Sequence, residues 1–257
     1  MSKFGLSLEE MKSTAPAIFA TEPSPNVGNK YGFVPTYKML ERLKEEGYYP
    51  TKVSQKGRSP FGKHMIRLLH RDALAEKMET DVGTLLPQAI LINSHDTTAS
   101  FSMMMGIFRL VCSNGMIVSQ GPVEKKKFRH VSIEEEVLVS VGEIVEHLPL
   151  VVDDANQMRG LKMSDSNILA FAEEAVGLRF DFEVEPEKIL VPRRTFDEGN
   201  DLWSVLSRVQ ENLMRGGFEV TRKKPVTSQE VTNVDMDVKI NRGLWDLAKR
   251  YQEQMTA

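Results

Sequence analysis

Apolar and polar positions change rhythm twice along the chain. Residues 36–47, TYKMLERLKEEG, place Tyr37, Leu40 and Leu43 on one helical face. Thr36 fits an N-cap and Gly47 a C-cap, which predicts a short helix. From Tyr48 to His130 the apolar stretches shorten. TKVSQ, KHMIRLLHR, QAILINS, ASFSMMMGIFRLVCSNG and KFRHV are each bounded by Gly, Pro, Asn, Asp or Ser. Runs punctuated in that way predict strands and hairpins. In KHMIRLLHR neither alternating face is cleanly apolar, which leaves strand and helix both open. SHDTTAS reads as a hairpin connection, and Ser113-Asn114-Gly115 as a tight turn.

After His130 the period becomes helical. Ser132 and Glu135 have capping-box spacing, and Ile133, Val137, Val141, Ile144 and Leu148 follow at intervals of three and four. Pro149 is expected to end that helix or begin the next element. Ser164 caps a second helix, with Ile168, Leu169, Ala172, Ala175 and Val176 inward. Asn200 or Asp201 caps a third, with Leu202, Val205, Leu206, Val209 and Leu213 on one stripe and Gly216-Gly217 as its stop. Ile240, Leu244, Leu247, Ala248 and Tyr251 mark a last helix. Glu185–Arg194 reads as an extended linker, and 219–239 as a loop or weak hairpin.

This order predicts an α+β fold with a β-rich N-terminal half of antiparallel strands and hairpins and a helical C-terminal half. Residues 1–35 are read as an N-terminal arm or loop, since 21–35 holds three prolines, two glycines and two asparagines. Residues 36–257 are read as one α+β domain, β-rich over 48–131 and helical over 132–257. No repeat interrupts this order.

Composition narrows the class. Of 257 residues, 41% are apolar and 27% charged, which excludes a disordered chain, a collagen and a disulfide scaffold. No apolar run reaches the roughly 18 residues of a membrane span, and MSKFGLSLEEM lacks the apolar core of an export signal. The single cysteine, Cys112, cannot form an internal disulfide. A cytoplasmic location is the expectation.

Net charge conceals an asymmetry. Residues 50–130 hold twelve Lys/Arg and six Asp/Glu, net +6, whereas 131–200 hold six and sixteen, net −10. The basic block suits an anion, nucleic acid first, although the two blocks could equally pair with each other. Its candidate contacts are Lys63, Arg67, Lys125, Lys126, Lys127 and Arg129, where ammonium and guanidinium groups suit phosphates. Phe61 and Phe128 are the candidate platforms on which bases would stack. RRTF (193–196) and the helix face Arg208, Glu211 and Arg215 read as ion pairing.

Common enzyme signatures are absent: GxxxxGK[ST], GxGxxG, HExxH, paired CxxC and GxSxG do not occur. His64, His95 with Asp96, and His130 are the candidates for a metal or acid/base site, but spacings of 31 and 35 residues match no metal motif. His95-Asp96 within NSHDTT reads as turn chemistry. Met103, Met104 and Met105 read as core filling, and Cys112 as a buried, inert thiol. No cofactor is expected.

LINSHDTTASFSMMMGIFRLVCSNGMIV followed by FRHV resembles the core signature of a phage- and plasmid-associated family known as domain of unknown function 932. YGFVPTYKMLERLKEEGYYP with KHMIRLLHR is similar to its N-terminal part. ILVPRRTFDEGNDLWSVLSRVQENLMRGG and NRGLWDLA are similar to its C-terminal part. The resemblance implies a setting in mobile genetic elements and supplies no catalytic residue.

Three readings follow. The first is a non-enzymatic factor that binds, protects or anneals single-stranded DNA in mobile-element DNA metabolism. The second is a protein-interaction factor, such as an inhibitor of a bacterial defence system, that uses the acidic segment against a host protein. The weakest is a metal-dependent hydrolase. Self-association through strand edges is a further expectation, and no membrane partner is expected.

Overall fold

A computed structural model of the chain describes residues 5–71, 85–109, 115–117, 126–127 and 133–257. Cys112, Lys125, Phe128, Arg129, His130, the first two residues of the Ser113-Asn114-Gly115 turn and the Ser132 cap lie outside the described residues. The chain divides into two compact units, where a single domain from residue 36 was expected. The first takes residues 1–78, 84–149 and 232–234; the second takes 79–83, 150–231 and 235–257.

The first unit carries α1 (Leu8–Thr14), α2 (Thr36–Glu45) and a sheet of β1 (Tyr48–Gln55), β2 (His64–His70), β3 (Leu85–Asn93), β4 (Ser102–Arg109), β5 (Gly115–Ile117) and β6 (Lys126–Lys127). All described pairings are antiparallel, and the order is β1-β2-β3-β4-β5, with β6 beside β4 as well. KHMIRLLHR is thus a strand. Five successive residues of β2, His64 to Leu68, are buried, so both faces of the strand are covered there. That is why its pattern shows no clean alternation. Met103, Met104 and Met105 are likewise all buried, as core filling requires.

Residues 8–19, expected within a loose arm, form α1 and a short 3-10 turn at Pro16–Phe19 that bury Met11, Ala15, Ala17 and Ile18. The Ser7/Glu10 capping box starts α1. Gln55 Oε1 on β1 accepts from Ala17 N (2.9 Å) and ties the 3-10 turn to the sheet. The segment that follows is a loop, as expected, and it is bonded to the β3–β4 turn, where His95 O accepts from Ser24 N (2.8 Å). Gly47 follows α2 in the left-handed region (φ 90°), where a glycine ends a helix at little cost.

The helix α3 (Ile133–Gly160) continues through Pro149, contrary to the expected break, and the two units divide at that proline. The second unit holds the C-terminal turns of α3 with α4 (Asp165–Arg179), α5 (Glu187–Leu190), α6 (Leu202–Arg215), the hairpin β7 (Glu219–Thr221) and β8 (Pro225–Thr227), and α7 (Val234–Thr256) from Asp235 onward. Ser164 and Asp201 cap α4 and α6 through Asn167 N and Ser204 N. Part of the expected linker 185–194 is the one-turn helix α5.

The apolar stripe of α6 is buried as expected, but so is its polar side. All residues from Leu202 to Met214 are buried. Several of the polar groups are matched, which lowers the cost of that burial. Asn212 Nδ2 donates to Ile189 O and Val191 O, and Arg208 Nη1 donates to Asp197 O and Gly199 O. Glu211 pairs with Arg194 (2.7 Å) and Arg215 (3.2 Å), the ion pairing expected of RRTF and this helix face. Among the described residues, no helix is long and apolar enough to cross a membrane.

Candidate functional site

Antiparallel register decides which distant residues meet at one end of the first unit's sheet. Gln55 pairs with His64 and His64 with Asn93, so the β1–β2 loop and the β3–β4 turn emerge side by side. The backbone of this loop and turn is joined where His95 N donates to Phe61 O (2.8 Å). Ser102 follows the β3–β4 turn and pairs with Lys127, which brings β6 to the same end.

Beneath this end lies a buried polar cluster. His64 Nδ1 is 2.9 Å from Gly62 O. A carbonyl can only accept, so Nδ1 carries the proton and Nε2 is the lone-pair nitrogen. Thr36 Oγ1, 2.9 Å from Nε2, therefore donates to it. Asn93 Nδ2 donates to Thr36 Oγ1 (2.9 Å) and to Val34 O (3.1 Å), and the Val34 carbonyl fixes which way the amide points. His95 Nε2 lies 3.5 Å from Thr36 Oγ1, and the two imidazole centroids are 5.2 Å apart. Phe33 flanks His95 at 4.9 Å. Thr36 and both imidazoles are fully buried.

Burial sets the charge state of the cluster. It disfavours the imidazolium and pushes His64 down to about 3, against the weaker opposing pull of the Gly62 carbonyl. The neighbouring His95 lowers it further, while Asp96 raises it. His95 is lowered too, by burial first, against the Ala17 backbone and the Asp96 charge. Both rings are neutral at pH 7.

The NSHDTT turn above is partly the turn chemistry its residues suggest. Asp96 Oδ1 accepts from Thr98 N (3.1 Å) and Thr98 Oγ1 (2.5 Å). Burial raises the Asp96 carboxyl, but these bonds outweigh it and hold the group below its ordinary range. Ser94 Oγ accepts from Ala99 N and donates to Ala99 O. Between them Thr97 is left-handed (φ 68°), an uncommon and costly state for a β-branched residue. His95 departs from the turn reading, since its ring goes inward. Beside the cluster is a cavity of about 220 Å³ whose lining includes Tyr31, Val34, Asn93, Thr97, Ser100 and Phe101. Tyr31 Oη donates to Ser94 O (2.8 Å).

The expected site residues divide accordingly. Lys63 and Phe61 are half-buried in the β1–β2 loop, near the exposed Lys56 and Arg58. The backbone of Lys126 and Lys127 reaches the same end as β6. Arg67 requires a correction. It is 2% exposed, and its Nη1 donates to Gln88 Oε1 (3.1 Å) on the neighbouring strand, so it is a sheet residue and not a surface phosphate contact. Of the metal candidates, His64 and His95 come together, but Thr36 lies between their Nε2 atoms. Among the described residues no group of three or more His, Cys, Asp or Glu forms a metal cradle. Sequence reasoning missed Thr36, Asn93, Tyr31 and Phe101. Thr36 looked like a cap, yet Pro35 holds that position and no side chain caps α2. An amide closing the apolar run QAILIN was the one available signal for Asn93.

Two curated relatives from Escherichia coli (strain K12) cover nearly the whole chain. The UPF0380 protein YafZ is 32% identical over 260 residues, spanning 97% of this chain and 93% of the relative. The UPF0380 protein YfjQ is 31% identical with the same coverage. No solved structure matches. Residues 25–245 match the family described as Domain of unknown function (DUF932), and on that match, with relatives aligned along nearly their full length, the chain belongs to that family.

Proposed function

We propose that this protein binds single-stranded nucleic acid, DNA first, across the end of the first unit's sheet. There it would protect or anneal the strand in the DNA metabolism of mobile elements. The observation that carries this reading is the register. It gathers Lys56, Arg58 and Lys63 from the β1–β2 loop and Lys126-Lys127 from β6 at one end, although the two groups are separated by the rest of the sheet in sequence. Cations on neighbouring loops can follow successive phosphates, and aromatic side chains among them can stack unpaired bases. Lys63, Lys125, Lys126, Lys127 and Arg129 contact phosphates in this reading, with Phe61 and Phe128 as platforms. Arg67 takes no part. The chemistry is binding: the buried, neutral His64 and His95 hold the loops in place.

Fluorescence anisotropy with a labelled single strand of about 30 nucleotides tests the assignment. Joint replacement of Lys125, Lys126 and Lys127 by Ala should weaken binding. It should also flatten the dependence of log affinity on log salt by up to about 2, at about 0.7 per lost phosphate contact. Unchanged affinity and slope would overturn the assignment of these lysines.

A further inference from the structure

The cavity beside the β3–β4 turn has a chemistry of its own. None of its lining side chains is charged, so it suits a neutral group and not a phosphate. Its volume, about 220 Å³, equals that of about seven water molecules in the liquid, a space comparable to one heterocyclic ring with its substituents. Tyr31 and Phe101 supply aromatic surface, and the Tyr31 hydroxyl bond to Ser94 O restrains that ring.

Asn93 is the residue that can discriminate. It lines the cavity while only 2% exposed. Both N–H groups of its amide are committed, one to Val34 O and one to Thr36 Oγ1. What the side chain has left for a ligand is the Oδ1 acceptor. Thr36 in turn is held by His64, so the amide is locked from behind and cannot rotate to offer a donor without breaking both bonds. A locked acceptor in a small, uncharged, aromatic-walled cavity selects a planar ring that carries an N–H donor.

We infer that this cavity receives one base of the bound strand, and that it favours an amino-bearing base whose exocyclic N–H donates to Asn93 Oδ1. This rests on the reading that a single strand binds at this end of the sheet. Cytosine fits the acceptor. Uracil has the same shape, but in the same pose it sets its O4 carbonyl against Oδ1, and its one base-pairing N–H, at N3, lies between two carbonyl oxygens. Left-handed Thr97 is part of the cavity wall, and the Asp96–Thr98 and Ser94–Ala99 bonds on either side hold it there.

The test compares labelled oligo-dC and oligo-dU of equal length at neutral pH, on the wild-type protein and on Ser100→Trp. Ser100 is exposed and lines the cavity, so the indole can fill the space from outside. The wild-type protein should bind oligo-dC about fivefold more tightly, the effect of one hydrogen bond. Ser100→Trp should abolish that preference while leaving the salt dependence unchanged. Equal, salt-sensitive binding of both strands by the wild type would overturn the base pocket and leave strand binding standing. A cytosine preference that survives Ser100→Trp would also overturn it. Failure of both strands to bind would overturn the pocket and strand binding together. The wild-type comparison stands whether or not the variant folds.

Discussion

Thr36 Oγ1 and His64 Nε2 are 2.9 Å apart across 28 residues of sequence, and this bond ties the first turn of α2 to the first residue of β2. The same oxygen accepts from Asn93, so a single hydroxyl closes a network that spans a helix and two strands. Each such bond contributes about 1 kcal/mol net, but a buried partner left unmatched costs about 1–3 kcal/mol. Thr36→Val keeps the shape and strands His64 Nε2 and one of the two N–H groups of Asn93 Nδ2. Urea unfolding should show a loss of about 2–4 kcal/mol. Thr36→Ser, which keeps the hydroxyl, should lose much less. Equal losses for the two variants would show that the methyl group, and not the hydroxyl, supports the site.

Acid should weaken the fold through His64. Its ordinary value is 6.5 and burial takes it to about 3. Between those values the unfolded chain binds a proton that the folded chain refuses. Stability is therefore full above about pH 6.5 and falls as the pH drops toward 3, by at most about 1.4 kcal/mol per pH unit for this ring. His95 is shifted the same way and adds to the effect. Urea unfolding at about pH 7.5 and about pH 5.5 should show a smaller acid loss in His64→Gln than in the wild type. An identical loss would place the titration elsewhere.

Thr97 holds a left-handed backbone at a strain of about 1–3 kcal/mol, which glycine would relieve at an entropic cost of about 0.5–1 kcal/mol. Thr97→Gly should therefore raise stability by about 1 kcal/mol. A net loss would mean that the threonine side chain supports the turn by more than its backbone costs.

Gly216 closes α6 at φ 67°, ψ −141°. A Cβ there would lie 2.5 Å from Ser228 O and 2.6 Å from Gln229 O, both backbone atoms with little freedom to retreat. Gly216→Ala should cost about 2–3 kcal/mol in thermal or chemical unfolding. Gly217 has a positive φ but faces only the end of Arg193 at 3.6 Å, so the same change there should cost less.

How much of this was legible in the sequence depended on the range of the interaction. The caps at Ser164 and Asp201 and the stripe of α6 are local, so periodicity and capping chemistry found them. Pro149 misled because a proline inside a helix is costly but not forbidden, and α3 carries one. Strand β2 was ambiguous because burial on both faces removes the alternation that identifies a half-exposed strand. The site was least legible. His64, His95, Thr36 and Asn93 come from three separated segments; strand register brings His64 to Asn93, and Thr36 reaches them from the first turn of α2. Thr36 competed as a cap because its hydroxyl suits either task. Arg67 looked like a phosphate contact because a basic residue flanked by alternating apolar ones reads as solvent-facing. Nothing local announces that Gln88 stands opposite to receive it.

The central claim is that a single strand is held by charge at the turn end of the first unit's sheet. Anisotropy of a labelled single strand of about 30 nucleotides and of its duplex, followed across a salt series, tests this most directly. The account predicts binding that favours the single strand and whose logarithm falls linearly with the logarithm of salt concentration. Absence of binding at low salt, or binding indifferent to salt, would contradict it.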